Sequence, residues 1–504
     1  VPEPASAATP SPAIARVAAA TFDAFLPMTA TLPPRQLFAP HALLPTGWAR
    51  DVLLTWDGAS GALTQVQSAA AAPAGVARAA GPVLPGMPNL HSHAFQRAIA
   101  GLTEYRGAGE DSFWSWRTLM YRFALQLDPA QLEAIAFGLY VEMLEAGYTS
   151  VCEFHYVHHD RDGRAYADDA ELALAVMRAA RRAGIGLTLL PVLYQTAGFG
   201  GKPPAEGQRR FIRSTDNMLA LLQRLKPLCD TQSARGIEGV PAVRLGLAPH
   251  SLRAVPPEAL REAVAGLTAL DASAPIHIHV AEQTQEVDDC LAWSGQRPVA
   301  WLLDHAPVDA RWCLVHATHM DADEYRRAAA SGAVAGLCPT TEANLGDGIF
   351  DWNQWQAGGG AWGIGSDSHI CVNPAEELMV LEYSQRLATR RRNVMATPAQ
   401  PQVATAMTLA AVQGGAQAAG RAIGGLAVGQ QADLVVLDAQ HSALAGLDGA
   451  DALSAHVFAS HRTSAIHKVY VGGQPQVRGG AHALRQEARA GFVQARQQLL
   501  QTAA

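Results

Sequence analysis

His91 and His93 stand two residues apart in the stretch PNLHSHAF. On a β-strand, residues i and i+2 project from the same face, so both imidazoles can reach one divalent ion at about 2.0–2.1 Å. The stretch PIHIHVAEQ repeats the spacing with His277 and His279 and adds Glu282 three residues on. His279 lies nearer the end of its apolar run and is the candidate ligand, while His277 sits one layer deeper as an interior histidine. WCLVHATHM supplies His316 and WGIGSDSHI supplies Asp367, each at the end of its own run, with His319 and His369 beyond them as loop histidines. Three imidazoles (His91, His93, His279) and the Asp367 carboxylate leave one position on the ion open to water, which is the composition of a catalytic zinc site. Mixed His/Asp sites also accept iron. Glu282 beside that water is a candidate proton shuttle. Either His316 or Asp367 can take the water's proton, and the residues leave that division open.

These residues need a scaffold that brings strand ends together. Eight apolar runs fit buried strands: VLPGMPNL, TSVCEF, GIGLTLLPVLY, VRLGLAP, PIHIHVAE, WCLVHAT, AVAGLCP and WGIGSD. Between several of them lie helical patterns such as PAQLEAIAFGLYVEMLEAG and ADDAELALAVMRAARRAG, closed by Gly147 and Gly184 as C-caps should be. Alternating strands and crossover-length helices predict an α/β fold, a (β/α)8 TIM-like barrel over residues 87–400. In such barrels function sits at the C-terminal ends of the strands, where the histidines, Glu282 and Asp367 fall. Residues 35–86 and 401–483 carry short strand patterns and turn signals, and together predict one small flanking β-sandwich domain built from both chain ends. Residues 484–504 read as a C-terminal helix, 1–34 as a disordered or loosely packed tail, and 229–242 as a loop before the fourth strand.

Composition narrows the function classes. Hydrophobic residues make up 49% of the 504, enough for a large core, and the net charge of −7 argues against a general nucleic-acid binder. No run is long and apolar enough to span a membrane, and Arg16 and Asp23 interrupt the N-terminal apolar stretch that a signal peptide would need. The six cysteines form no CxxC pair, which fits a reducing, cytoplasmic setting. Lysine occurs only at Lys202, Lys226 and Lys468, so almost all positive charge is arginine.

The order HxH, then HxxE, then His, then Asp, each after its own strand, resembles the amidohydrolase superfamily, whose members carry this array on a barrel with a flanking β-sandwich. The likeness spans roughly residues 40–480. Many members hold two metals bridged by a carboxylated Lys at the fourth strand. Here that strand reads LAPHSLR, with His250 and no Lys, which favours the branch that uses one metal for deamination. Longer words, among them LPGMPNLHSHAFQRAIAGL, DSFWSWRTLMYR, EFHYVHHD, GFGGKPPAEGQRRFI, HIHVAEQTQEVDDC and TTEANLGDGIF, resemble the formimidoylglutamate deiminase family. The resemblance implies zinc-dependent hydrolysis of a small molecule, N-formimino-L-glutamate, to N-formyl-L-glutamate and ammonia in histidine degradation, by a homodimer. It places Gln96, Arg117, Tyr156, His250 and Arg253 at substrate-contacting positions, where arginine suits a dianion. Trp114 and Trp116 are assigned to packing of a lid or interface. Two alternatives remain: another one-metal deaminase acting on a purine, pyrimidine or triazine ring, and a metal-bound barrel that has lost catalysis. The presence of both Glu282 and Asp367 argues against the last.

Overall fold

The computed structural model describes residues 35–68, 72–106, 113–234, 243–460 and 463–503. The predicted tail at 1–34 and residues 235–242 of the predicted loop lie outside the described residues.

Eight parallel strands close into a (β/α)8 barrel. In order they are Met87–Ser92, Tyr148–His155, Gly186–Leu193, Val243–Leu245 continued by Ala248–Pro249, Ile276–Val280, Trp312–His316, Val334–Leu337 and Ala361–Ile364. The second, third, fifth and sixth are buried along their whole length, the pattern of a sheet covered on both faces. Two seams complete the ring. Leu247 bridges Ile276 and Ser251 bridges His279 between the fourth and fifth strands, and Ser92 bridges Asp367 between the first and eighth. Crossover helices cover the outside. Pro129–Ala146 begins on a capping box in which Gln131 N donates to Asp128 Oδ1 at 2.8 Å, and it ends at Gly147 with φ 100°.

Both chain ends contribute to one flanking sheet of nine strands. Val83–Pro85 sews the ends together, pairing parallel with Arg35–Leu44 and antiparallel with Leu434–Leu437. Trp56, on strand Gly47–Trp56, lies four strands from Tyr470, on Ile466–Val471. In a flat sheet that separation is about 19 Å at about 4.8 Å per strand. The two rings instead stand 6.2 Å apart, so the sheet folds over onto its own small core of Leu37, Leu54, Leu63 and Leu434. The chain then passes from this sheet into the barrel at Gly86.

Two segments differ from the sequence expectation. Helix Thr215–Ala234 extends through the first part of the 229–242 stretch expected as a loop, continuing past Pro227. Helix Val403–Ala419, grouped with the flanking domain by its position in the chain, packs on the barrel instead. The reason is close approach: a Cβ on Gly414 would stand 2.0 Å from the carbonyl oxygen of Trp362, so glycine lets the helix lie against the eighth strand. His277 also donates from Nε2 to the carbonyl of Ala418 at 2.8 Å, which ties that helix to the barrel interior.

The first–eighth seam is equally tight at Gly365, where a Cβ would meet His91 Cβ and N at 2.8 Å. Gly365→Ala is therefore expected to cost about 1–3 kcal/mol, the range for overpacking, and to weaken metal retention by displacing His91. Thermal denaturation and metal content of the purified variant check this; wild-type values for both would contradict it.

Candidate metal centre and its cavity

At the C-terminal end of the barrel four donors converge. His91 Nε2 lies 3.1 Å from His93 Nε2 and 3.0 Å from His279 Nε2, while Asp367 Oδ1 lies 3.4 and 3.3 Å from the nitrogens of His91 and His93. An ion bound tetrahedrally at about 2.0–2.1 Å spaces its ligands about 3.3 Å apart, so these separations are those of a tetrahedral edge. The outer ring atoms settle the tautomers of two of the histidines. His93 Nδ1 donates to the carbonyl of Phe154 and His279 Nδ1 to that of His250, both at 3.0 Å. Their Nε2 lone pairs therefore face inward, as in metal-ligating histidines generally. Burial pushes the His91 pKa down to about 3 and holds His279 well below the usual imidazole range, so these rings are neutral. Burial alone would raise the Asp367 carboxyl, but the neighbouring His91 and His93 rings hold it well below the carboxylate norm. The donor set thus fits a divalent cation. A second trio, His316, Cys338 and Asp367, also lies within 4.8 Å, but it shares Asp367 with the first set.

Two further groups face this cluster. His316 Nε2 stands 3.7 Å from Glu282 Oε1 and 3.8 Å from Asp367 Oδ2, and its Nδ1 donates to Glu342 Oε1 at 3.3 Å. Burial opposes charge on this ring, but Glu282, Glu342 and Asp367 outweigh it and push the pKa up to about 10. Burial raises the Glu282 carboxyl. Its backbone is set by Glu286, whose two carboxylate oxygens each accept at 3.2 Å, one from Ala281 N and one from Glu282 N. His316 and Asp367 have left-handed backbones, φ 65° and 43°. Non-glycine residues adopt this strained conformation where surrounding structure over-determines it, typically at functional sites.

A cavity opens onto the cluster. Its walls include Gln96, Arg117, Tyr156, His250 and Arg253, the five expected substrate contacts, together with His93, His279, Glu282, His316 and Asp367. Gln96 Nε2 donates to the Tyr156 hydroxyl at 2.8 Å, and an Arg253 Nη stands 3.9 Å from Glu282 Oε2. Burial, reinforced by the Arg253 charge, keeps His250 neutral. Trp116 lines the cavity as well, which corrects its assignment to lid or interface packing alone. The side chain of Trp114 lies outside the described residues.

Several contributors escaped the sequence reading. Glu153 accepts from Ser92 Oγ and Ala94 N, each at 2.6 Å, and so clamps both neighbours of His93. Its signal was a lone carboxylate inside the apolar run TSVCEF, a placement that requires partners. His369, expected as a loop histidine, is fully buried behind the seam and bonds Ser92 and Ser366. Glu342 lay within the word TTEANLGDGIF without a role. Tyr194 directly follows the third strand and Tyr121 follows Arg117 by one helical turn, and both line the cavity.

Comparison with known proteins places this geometry. The model of the amidohydrolase family matches residues 83–475. The chain is 54% identical over 465 residues to formimidoylglutamate deiminase of Pseudomonas aeruginosa, covering 92% of this chain and 99% of that protein. It is 29% identical over 410 residues to 8-oxoguanine deaminase of the same organism, covering 79% and 83%. A crystal structure of an amidohydrolase from Brucella melitensis superposes with a TM-score of 0.85 at 48% identity, covering 92% of this chain and all of that one.

Removing a divalent ion should leave four converged donors without their partner. A ligand present at a hundred times its Kd stabilises the folded state by about 2.7 kcal/mol, so chelation should lower Tm, and divalent metal should restore it. His279→Ala should melt at the same temperature with and without chelator. A wild-type Tm indifferent to chelation would contradict the metal assignment.

Proposed function

The chain belongs to the amidohydrolase family, and from that premise we infer that it catalyses the hydrolytic deimination of N-formimino-L-glutamate to N-formyl-L-glutamate and ammonia. The observation that carries this reading is that one cavity holds the metal-donor cluster, the Glu282–His316 pair and two guanidinium groups, Arg117 and Arg253. A hydrolytic centre flanked by bidentate cation donors suits a substrate with two carboxylates and an electrophilic C=N carbon. Similarity to formimidoylglutamate deiminase over nearly the whole of both chains supports the same substrate.

His91, His93, His279 and Asp367 hold one divalent ion, which three imidazoles and a carboxylate suit to zinc. When bound, such an ion supplies Lewis acidity that lowers the pKa of water from about 15.7 toward about 7. The chain's own groups handle the remaining protons. Asp367 turns Oδ1 toward His91 and His93 and Oδ2 toward His316, so Oδ2 takes the proton of the attacking water, while His316 Nε2, which already carries a proton, hydrogen-bonds the attacking oxygen. The water oxygen bonds to the formimino carbon, and the C=N bond becomes single. Glu282, its carboxyl raised by burial, delivers a proton to the terminal nitrogen. The proton taken from the water follows to the same nitrogen, the C–N bond breaks, ammonia leaves, and the new hydroxyl gives its proton to Glu282 as the carbon becomes a formyl carbonyl. Arg253, beside Glu282, binds the carboxylate nearer the reacting carbon. Gln96, Tyr156 and His250 orient the formimino end, and Glu342 acts as a positioning residue through His316 Nδ1. The reading carries with it a homodimer with one zinc per subunit, as the sequence resemblance implies, and the cysteine usage suits a cytoplasmic setting.

Ammonia release separates this substrate from the heterocycles of the more distant relatives. The purified enzyme is expected to release ammonia from N-formimino-L-glutamate and not from guanine, 8-oxoguanine or cytosine; the reverse preference would overturn the reading. Glu282→Gln should lower turnover by about 10²–10⁴-fold, the range for a positioned acid–base group, with metal retained. Arg253→Met should raise KM with metal content unchanged. Near-normal turnover in the first variant would remove Glu282 from proton transfer, and an unchanged KM in the second would remove Arg253 from the substrate.

A further inference from the structure

The cavity wall carries two phenols that the reaction above does not use. Tyr121 lies on helix Phe113–Gln126, and Tyr194 directly follows strand Gly186–Leu193. Both line the cavity with Arg117 and Arg253. The Arg117 guanidinium carbon sits 5.5 Å from the centre of the Tyr121 ring. The Tyr194 ring stands 4.5 Å from His250, which stands 5.0 Å from the ligand His279. Tyr194 is thus one ring removed from the metal donors, and Tyr121 is two removed, through Phe211 and Tyr156 to His93.

Behind them is Gln208, 2% exposed. Its amide has one defined orientation, because Oε1 accepts the backbone N–H of Ala205 at 2.8 Å. The donor end, Nε2, therefore faces the phenols, at 2.7 Å from the Tyr194 oxygen and 3.3 Å from that of Tyr121. A phenol is both donor and acceptor, with one proton to give. Gln208 fills an acceptor position on each oxygen and so turns the O–H protons away from itself. If one phenol donates to the other, a proton still remains to be given on the cavity side. Burial, with Tyr121 adding to it, raises the Tyr194 phenol above its ordinary range, so it remains a donor at neutral pH.

We propose that Tyr121 and Tyr194, oriented by Gln208 and joined by Arg117, form a donor-only subsite for the side-chain carboxylate of the substrate. This rests on the reading of N-formimino-L-glutamate as substrate. That carboxylate carbon lies five bonds from the formimino carbon, which suits a subsite beyond the first ring of residues around the metal donors. A carboxylate offers only acceptors, whereas a carboxamide turns an NH₂ group toward one of these donors. The subsite therefore distinguishes a glutamate-derived substrate from its glutamine-derived counterpart. A site built around buried hydrogen-bonding groups discriminates strongly against a ligand that leaves them unpaired.

The test is steady-state kinetics of the metal-loaded enzyme on N-formimino-L-glutamate and N-formimino-L-glutamine. Wild type should favour the dicarboxylate. Tyr121→Phe and Tyr194→Phe should each narrow that preference by about tenfold, the scale of a hydrogen bond to a charged group. The change should appear as a higher KM for the dicarboxylate, with kcat falling far less and the amide little affected. Gln208→Glu keeps the size of the side chain but draws the phenolic protons inward, and should lower the preference in the same way. Its thermal melt reports whether that buried variant folds, and the two Phe variants decide the matter if it does not. An active, selective wild type whose Phe variants keep its full preference overturns the subsite. A wild type that releases no ammonia from N-formimino-L-glutamate overturns the substrate reading itself, and the subsite with it.

Discussion

In a buried pocket His91 Nε2 stands 3.0–3.1 Å from the nitrogens of His93 and His279, Asp367 Oδ1 stands 3.3–3.4 Å from those of His91 and His93, and all four donors lie within 4.8 Å of one another. The Nδ1 protons of two of the rings are committed to backbone carbonyls. Lone pairs at that separation repel, and a buried polar group without a partner is costly. A cation at the centre reverses the sign of the interaction. Much of the surrounding architecture holds these donors where only a cation satisfies them. Across the first–eighth seam, His93 N donates to Asp367 O at 3.2 Å and Asp367 N to His91 O at 3.0 Å. Across the fourth–fifth seam, His279 N donates to His250 O at 3.1 Å. The same backbone bonds that close the barrel therefore set the ligand geometry.

Behind the donors the support is polar as well. Glu153 joins Ser92, the Ala94 amide and the Tyr140 hydroxyl, and His369 joins Ser92 to Ser366. On the solvent side the cavity separates two tasks. Glu282 and His316 stand over the open face of the cluster, and the guanidinium groups share the cavity wall with the phenols. Positive charge can thus bind a dianion locally in a chain whose net charge is −7.

The parts of this design that were legible in the sequence are those governed by local period. An HxH on a strand is a same-face pair whatever the tertiary context, and eight apolar runs with helical intervals specify a barrel. The structure brings His91, His93, His279 and Asp367 together because each lies at a strand end. Less legible were groups whose partners are remote in sequence. Glu153 meets Ser92 61 residues away, and Glu342 meets His316 26 residues away. Neither separation has a periodic signature. The helix Val403–Ala419 went to the flanking domain because chain position, unlike the glycine contact with Trp362, can be read from a sequence. Gln208 and its phenols were overlooked for a related reason: neutral donors stand out less than ionisable ones, although Tyr121 lies only one turn from Arg117.

X-ray absorption at the zinc edge of the metal-loaded enzyme tests the central claim most directly. The account predicts one zinc per chain, nitrogen and oxygen ligands at about 2.0–2.1 Å, and the outer-shell scattering of three imidazoles. A sulfur shell at about 2.3 Å, which would bring Cys338 into the coordination sphere, or scattering from fewer than three imidazoles, would contradict it.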